Sequence, residues 1–435
     1  MVSSLTVSAW PSGHSAASPD ALIGRTSSKV LVHSRQRYAY VGMPTIMTAG
    51  CGDENLARMD IPVPDESVPH LARVVPSLLR AIGTPGFTGS LGLRDGLARA
   101  CVLLVDGLGW ELLDQHAEDA PVLAGLARTP LRAGYPATTA AGLAALGTGA
   151  ESGEHGMVGY SFEVPGTGVL NALSWCHHPG GPSLADALAP GEVQRLPTTF
   201  ATAADAGVAV SVVSAAEFAG TPLTRAVLHG GRYVGVHALG DLAASVIAAL
   251  GPAPAFCYAY HSELDKLGHI HGPGTPPWRM QLRQVDRLVE SIVDGLPAGA
   301  VLAVVADHGM VGIDGTAVDL DAAPELAAGV RALGGEVRAR HVYTMDGATE
   351  DVLTAWRETL GDRAWVVRGE EAIGAGWFGR VADHVRPRIG DLVAAARGRS
   401  GLLRRAAEPM ESGLIGQHGS HSTAEQLVPL ALAYG

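Results

Sequence analysis

Three apolar segments of the sequence each run directly into an aspartate. The segments end at Asp106 (CVLLVD), Asp265 (AFCYAYHSELD) and Asp307 (VLAVVAD). In an open α/β sheet the ligand crevice lies outside the carboxyl ends of the strands, so these carboxylates are expected at one rim. Singly, each has an ordinary alternative, because Asp-Gly after a strand, as at Asp106, is a common turn. The convergence of three such aspartates predicts a cation site.

Histidines occur where metal ligation would require them. His269 follows Asp265 by four residues, a spacing that places both side chains on one face of a helical turn, and His308 directly follows Asp307. His418 and His421 lie in the glycine-rich segment IGQHGSHS, where each is either a close-approaching ligand or an exposed loop residue. Carboxylates together with imidazoles suit zinc or a similar divalent ion.

A candidate nucleophile comes from the segment YPATTAAGLAALGTG. Pro136 interrupts regular structure, Thr138 and Thr139 lie where a helix N-cap would be, and a strongly helical run follows. A threonine there is most often only a cap. The unpaired N–H groups of a helix N-terminus also hold phosphoryl oxygens, and a bound metal would lower the pKa of a threonine hydroxyl.

The elements that must position these residues alternate between short apolar runs and helical stretches, which is typical of a parallel sheet covered on both faces. The predicted strands are 101–105, 208–213, 256–260 and 301–305, and the predicted covering helices are 281–292 and 182–188. The pattern of apolar and polar residues changes at 317–397. This change predicts a smaller inserted α+β subdomain, with a strand at 338–343, a helix at 351–360 and a strand at 364–367.

Composition excludes several classes of protein. The net charge of -12 argues against a nucleic-acid groove, so any phosphate site must be locally positive. Four widely spaced cysteines without a CxxC pair disfavour both a zinc knuckle and a disulfide framework. We find no apolar run long enough to span a bilayer and no signal peptide, which together favour a cytoplasmic protein of undetermined oligomeric state.

The N-terminal region differs from the rest of the chain. Residues 1–60 are rich in Ser, Ala, Gly and Pro and show no sustained periodicity. We therefore expect a disordered extension at 1–62 and a single catalytic domain at 63–435 that contains the 317–397 insertion.

Taken in order, the motifs resemble the alkaline phosphatase superfamily, in particular its nucleotide pyrophosphatase/phosphodiesterase branch. The six motifs that carry the resemblance, from about residue 100 to the C-terminus, are VLLVDG, YPATTAAGLAALGTG, GEHGMVGY, ELDKLGHIHGP, VVADHG and QHGSHS. The resemblance implies an alkaline-phosphatase-like α/β fold whose mostly parallel central sheet is covered by helices on both faces. It also implies two divalent metal ions, with zinc preferred and manganese the alternative.

The resemblance assigns roles to individual residues. Asp106, Thr139, Asp307 and His308 match the ligands of one metal, with Thr139 as the nucleophile that forms a phosphothreonine. The residues that match the second metal's ligands are Asp265, His269 and His418, which leaves His421 as a neighbour.

One departure from the family pattern concerns the substrate. Diesterases of this branch commonly carry an asparagine donor three residues after the nucleophile, where this chain has Gly142. No arginine or lysine follows Thr139 closely, so no clamp for a dianionic monoester is evident, and Lys266 is either solvated or in contact with substrate. The prediction is a hydrolase of small phosphate diesters or nucleotide pyrophosphates. The alternatives are a phosphonoacetate-type C–P hydrolase, a phosphomonoesterase and a non-catalytic metal-binding scaffold.

Overall fold

A computed structural model of the protein describes residues 61–435, so the expected N-terminal extension lies almost wholly outside the described residues. The strands are β1 Arg99–Val105, β2 Ala127–Arg132, β3 Ser161–Val164, β4 Gly168–Asn171, β5 Cys176–His177, β6 Ala209–Ala215, β7 Arg232–Val236, β8 Ala255–His261, β9 Ala300–Val305, β10 Val311–Gly312, β11 Val318–Asp319, β12 Val330–Glu336, β13 Ala339–Thr344, β14 Ala364–Arg368, β15 Leu392–Ala396, β16 Leu402–Leu403, β17 Gly416–Gln417 and β18 Leu427–Tyr434.

The α-helices lie between these strands. They are α1 Val74–Ala81, α2 Trp110–Gln115, α3 Pro121–Gly125, α4 Thr139–Thr148, α5 Ser152–His155, α6 Pro190–Val193, α7 Thr199–Asp205, α8 Pro222–Val227, α9 Leu239–Ala249, α10 Glu263–His271, α11 Pro276–Asp294, α12 Pro324–Ala327, α13 Thr349–Leu360, α14 Gly369–Gly374, α15 Pro409–Ser412 and α16 Thr423–Gln426.

A seven-stranded sheet in the order β2-β18-β9-β1-β8-β6-β7 forms the centre of the molecule. Strands β9, β1, β8, β6 and β7 are parallel, and β18 runs antiparallel between β9 and β2. Every residue of β9 and all but the first of β1 are buried, as expected for strands covered on both faces. The predicted mostly parallel sheet is confirmed.

The sequence patterns located most of the elements that they predicted to within five residues. The four apolar runs became β1, β6, β8 and β9, and the helix predicted at 281–292 is the central part of α11. The helix predicted at 182–188 is wrong, because this segment forms a bridge at Ser183 and a turn. Leu184 and Leu188 are buried there, and the Leu188 carbonyl accepts the Trp175 indole N–H at 2.9 Å. Tertiary contacts therefore override the local helical pattern.

Segment 317–397 contains a separate four-stranded antiparallel sheet in the order β12-β13-β15-β14, with α13 beside it. It has its own small hydrophobic cluster, which includes Trp356, Leu360 and Val366. A buried bidentate ion pair joins Arg338 to Glu425, at 2.9 and 2.7 Å, and so anchors the β12–β13 turn to the C-terminal part of the chain. The division of the chain into a catalytic domain with an inserted subdomain stays a prediction.

Among residues 61–435, no helix combines the length and the apolar character that crossing a membrane would require.

Candidate metal centre and nucleophile

The carboxyl ends of three adjacent parallel strands bring the predicted aspartates together. Strand β1 pairs in register with β8 and with β9, so Asp106 follows β1 beside the first turn of α10, which carries Asp265, and beside Asp307 after β9. Gly107 permits this close approach. Its φ of 72° lies in the left-handed region, and a Cβ there would lie 2.9 Å from the Asp265 side chain.

Two buried groups of side chains have ligand atoms close enough together to hold a cation. Within each group, the ligand atoms all lie within 4.8 Å of one another. The groups are Asp106, Asp307 and His308, and Asp265, His308 and His418. His269 lies beside the second group, with its Nε2 3.2 Å from Asp265 Oδ2. The structure thus brings together the six predicted ligands other than Thr139, and His308 belongs to both groups.

The three histidines share one arrangement that fixes which nitrogen faces the site. Their Nδ1 atoms lie 2.7–2.9 Å from main-chain carbonyl oxygens: His269 from Gly416, His308 from Gly309 and His418 from Ala137. Because a carbonyl only accepts, each Nδ1 carries the proton and donates it. In its neutral form each ring therefore presents an Nε2 lone pair to the site, as metal-ligating histidines do.

These lone pairs face carboxylates. His308 Nε2 lies 3.4 Å from Asp106 Oδ1 and 3.8 Å from Asp307 Oδ2. Three carboxylate oxygens, Oδ1 of Asp106, Oδ1 of Asp265 and Oδ2 of Asp307, are buried without a hydrogen-bond partner in the described part of the chain. Lone pairs and carboxylates facing each other repel unless positive charge lies between them, so the donor set fits divalent cations.

The pKa shifts of the carboxyl groups, in the absence of a metal, also indicate that the site lacks positive charge. Burial raises the pKa of Asp106 well above its ordinary value, and the carboxylates of Asp307 and Asp265 raise it further. Burial likewise raises the pKa of Asp307. Burial also opposes charge on Asp265, but the adjacent His269 leaves the pKa of Asp265 lowered. Without a cation, the site therefore favours the protonated forms of Asp106 and Asp307 more than water does.

Thr139 is the first residue of α4 and faces the first ligand group. Its Oγ1 lies 3.2 Å from His308 Nε2. Thr138 occupies the N-cap position, and α4 ends at Gly149 in the left-handed conformation. The predicted helix start is confirmed, and the hydroxyl of Thr139 points at the candidate metal ligands instead of capping the helix.

Gly142 has a packing role that the sequence did not reveal. A Cβ at this position would lie 2.4 Å from Asp307 Cβ and 3.0 Å from its Cα. Helix α4 therefore packs directly against the end of β9, and this contact brings Thr139 beside Asp307 and His308. No asparagine fits here without moving the helix.

This contact predicts the effect of Gly142→Ala. Alanine is favoured over glycine within a helix by about 1 kcal/mol. We nevertheless expect the free energy of unfolding to fall by about 1–3 kcal/mol, because the added methyl group overpacks the contact with Asp307. Displacing Thr139 should lower kcat/KM by about 10²-fold. Denaturant unfolding and initial rates measure both effects. Gly240→Ala in α9, where a Cβ meets nothing within 4 Å, is the control and should be neutral or stabilising.

A cavity of about 360 Å³ opens beside Asp106 and Thr139. Its walls are largely apolar and aromatic, with Leu143, Phe218, Tyr233 and Tyr260 among them. Its charged residues besides the two site aspartates are Glu217, Glu263 and Lys266. Lys266 is exposed at the cavity wall and is the one cation of the lining, which places it within reach of a bound ligand.

Two polar residues at the site, Tyr260 and Glu336, were not predicted from the sequence. The Tyr260 hydroxyl donates to Asp106, Thr138 donates to Glu336 at 2.6 Å, and burial raises the pKa of Glu336 to about 8. Tyr260 is the last residue of the predicted strand 256–260, which leads to Asp265. This position is only a weak indication that its side chain lies at the site. Glu336 has no local signal at all. His421 stacks on Tyr135 with ring centroids 4.3 Å apart and belongs to neither ligand group.

Comparison with known proteins gives one family match. A model of the type I phosphodiesterase / nucleotide pyrophosphatase family matches residues 100–421, well over half of the chain. No curated protein sequence matches the chain.

Solved structures share the fold. Murine ectonucleotide pyrophosphatase/phosphodiesterase 5 is similar with a TM-score of 0.60 and 18% identity, covering 76% of this chain and 87% of that one. An inactive variant of it with a threonine replaced by alanine, in complex with AMP, gives 0.59 and 18%, covering 77% and 87%. Phosphonoacetate hydrolase from Sinorhizobium meliloti, in complex with phosphonoformate, gives 0.59 and 20%, covering 77% and 89%. These likenesses confirm the predicted fold class.

Proposed function

The chain belongs to the type I phosphodiesterase / nucleotide pyrophosphatase family of the alkaline phosphatase superfamily, and on this premise we propose that it hydrolyses phosphate diesters or nucleotide pyrophosphates through Thr139 at a two-metal site. Family membership makes it a hydrolase of phosphoester or anhydride bonds. The nucleophile, the number of metals and the preference for diesters are the proposed parts.

The observation that carries the proposal is the set of histidines. Main-chain carbonyls hold three Nδ1–H groups, which leaves the Nε2 atoms for the site. His308 Nε2 lies 3.4 Å from Asp106 Oδ1 and 3.8 Å from Asp307 Oδ2, two buried oxygens that have no partner among the described residues. We assign Asp106, Thr139, Asp307 and His308 to one ion and Asp265, His269 and His418 to the other. Zinc is the preferred metal, since imidazole and carboxylate ligands suit it, and manganese is the alternative.

When bound, two such ions supply positive charge that lowers the pKa of the Thr139 hydroxyl and stabilises the attacking and leaving oxygens. Thr139 Oγ gives up its proton and forms a bond to phosphorus while the bond from phosphorus to the leaving oxygen breaks. That oxygen takes up a proton and departs as the alcohol from a diester, or departs as a phosphate from a pyrophosphate. Water then attacks the phosphothreonine, which restores the Thr139 hydroxyl and releases the monoester. Two in-line steps give net retention at phosphorus.

The cavity beside Thr139 supports a diester with an uncharged organic group. A monoester dianion or a phosphonate with a second anionic group would need additional cations, whereas the lining offers Lys266 against Glu217 and Glu263. Aromatic and aliphatic walls instead suit an apolar or aromatic substituent. The murine relative's complex with AMP is consistent with an organic group of this kind.

A substrate comparison tests this preference. Metal-depleted protein reconstituted with zinc, or in parallel with manganese, is assayed on bis-p-nitrophenyl phosphate, p-nitrophenyl phosphate, a dinucleotide pyrophosphate and phosphonoacetate. We expect kcat/KM for the diester or pyrophosphate to exceed that for the monoester and the phosphonate by about tenfold or more.

A faster rate on phosphonoacetate would instead favour the C–P hydrolase alternative, for which the Sinorhizobium meliloti structure is the supporting observation. No turnover of any of these compounds, together with one metal ion or fewer per chain, would favour a non-catalytic scaffold.

A further inference from the structure

Thr138 occupies the N-cap position of α4 but does not cap the helix. An N-cap threonine ordinarily accepts a hydrogen bond from the N–H of the second or third helical residue. Here the side chain makes no capping hydrogen bond, and its hydroxyl donates to Glu336 Oε2 at 2.6 Å. The first turn of α4 therefore keeps its N–H groups free of a side-chain acceptor.

Glu336 reaches this position from segment 317–397, 198 residues along the chain from Thr138. It is the last residue of β12. Its side chain lies against Gly419, next to the ligand His418, where a Cβ would be 3.0–3.2 Å from the carboxyl end of Glu336. Its second oxygen, Oε1, is inaccessible and has no partner among residues 61–435. The carboxyl group is thus enclosed between α4 and the His418 loop.

The N–H groups left open lie beside the nucleophile. The first hydrogen bond of α4 runs from the Gly142 N–H to the Thr138 carbonyl. The N–H groups of Thr139, Ala140 and Ala141 donate to no other group in the part of the chain that the structure describes. Gly142 contributes no side-chain donor. These main-chain groups are therefore the donors closest in sequence to Thr139 Oγ for a phosphoryl oxygen.

We propose that Glu336 is a positioning residue: by accepting the Thr138 hydroxyl it prevents Thr138 from capping α4, and so keeps the first-turn N–H groups open to the phosphoryl group of the substrate. The inference rests on the proposed function, because it assigns the phosphoryl donors of that same site. It also explains how the chain functions without an asparagine at position 142. Segment 317–397 thereby contributes to the active site without touching the substrate.

The test compares variants of the zinc-reconstituted full-length protein. In Glu336→Ala the freed Thr138 hydroxyl caps α4, and we expect kcat/KM for bis-p-nitrophenyl phosphate to fall on the order of 10²-fold, as for loss of an oxyanion donor. Glu336→Gln and Thr138→Ser keep an acceptor and a donor, so they should stay within about threefold of the wild type. The melting temperature of Glu336→Ala should stay the same or rise, because the helix gains a cap.

The decisive variant is Glu336→Ala combined with Thr138→Val, since valine cannot cap. We expect removal of Glu336 to cost less than about threefold in the Thr138→Val background, a strongly non-additive result. An equal loss in both backgrounds would overturn the proposal, because Glu336 would then act on its own. A Glu336→Gln variant as damaged as Glu336→Ala would overturn it as well.

Binding of inorganic phosphate separates this proposal from the proposed function. Calorimetry on the zinc-loaded protein should show weaker phosphate binding in Glu336→Ala than in the wild type, whether or not any ester is hydrolysed. Unchanged phosphate affinity in Glu336→Ala contradicts the role of the Thr138–Glu336 hydrogen bond. Absence of hydrolysis by the wild-type protein contradicts only the proposed function.

Discussion

Thr139→Ala is expected to lower kcat by about 10⁴-fold or more on every ester that the protein hydrolyses, because removing a covalent nucleophile leaves only binding and charge stabilisation. The hydroxyl lies 3.2 Å from His308 Nε2, within reach of the first ligand group. The loss should appear in kcat, since Thr139 Oγ forms its bond to phosphorus only in the reaction. Initial rates on bis-p-nitrophenyl phosphate at saturating zinc measure it.

Two control variants show whether the loss of activity in Thr139→Ala is due to the missing nucleophile. Thr148→Ala removes a hydroxyl at the other end of α4 that donates to the Ala144 carbonyl at 2.7 Å, and it should leave kcat within about twofold. Thr139→Ser keeps the oxygen, so a measurable rate and a phosphoserine trapped by acid quench are expected. A Thr139→Ala rate within tenfold of the wild type would refute the nucleophile assignment.

The grouping of the candidate metal ligands was predictable from the sequence for a physical reason. Asp106, Asp307 and His308 directly follow apolar strands, and the parallel sheet carries the ends of adjacent strands to one rim whatever the loops do. The i,i+4 spacing of Asp265 and His269 needed only one helix, α10, and the structure places their side chains 3.2 Å apart. In both cases local sequence and one topological rule determine the geometry.

The remaining features depend on contacts between distant parts of the chain. The Thr138–Glu336 hydrogen bond joins α4 to β12, and nothing in the local pattern of β12 indicates that its last residue lies at the site. Gly142 appeared as a missing donor, whereas its close contact with Asp307 emerges only when α4 packs on β9. At 182–188 a turn buries Leu184 and Leu188, and this tertiary burial cannot be inferred from local helix propensity.

Removing the metal should abolish turnover and destabilise the protein, with a pH dependence whose sign is set by Asp106 and Asp307. Burial raises the pKa of both carboxyl groups in the metal-free fold. Their protonated forms are therefore favoured on folding, so the contribution of these two groups to the stability of the metal-free protein is fully present below the ordinary aspartate pKa of about 3.9 and is lost as pH rises through the raised values. Metal binding competes with these protons, so zinc affinity should increase with pH.

Thermal unfolding with EDTA and with zinc, between pH 5 and pH 8, measures this effect. Zinc at a fixed concentration, equal to 1,000 times its Kd at pH 8, should stabilise the protein by about 4 kcal/mol per filled site at pH 8, and by less at pH 5, where the Kd is larger. Asp307→Asn should raise the Tm of the metal-free protein, because it removes a crowded buried carboxylate, and should diminish the zinc-induced shift. Asp286→Asn alters a buried carboxylate that accepts the Leu123 N–H at 2.8 Å, away from the site, and should lower Tm while leaving the zinc-induced shift intact.

A zinc-induced shift in Tm that is independent of pH, or that survives Asp307→Asn unchanged, would mean that zinc binds elsewhere. Opposite signs in the metal-free and zinc-loaded forms of Asp307→Asn are expected only if this carboxylate is a ligand, because a residue important for packing alone would lower Tm in both.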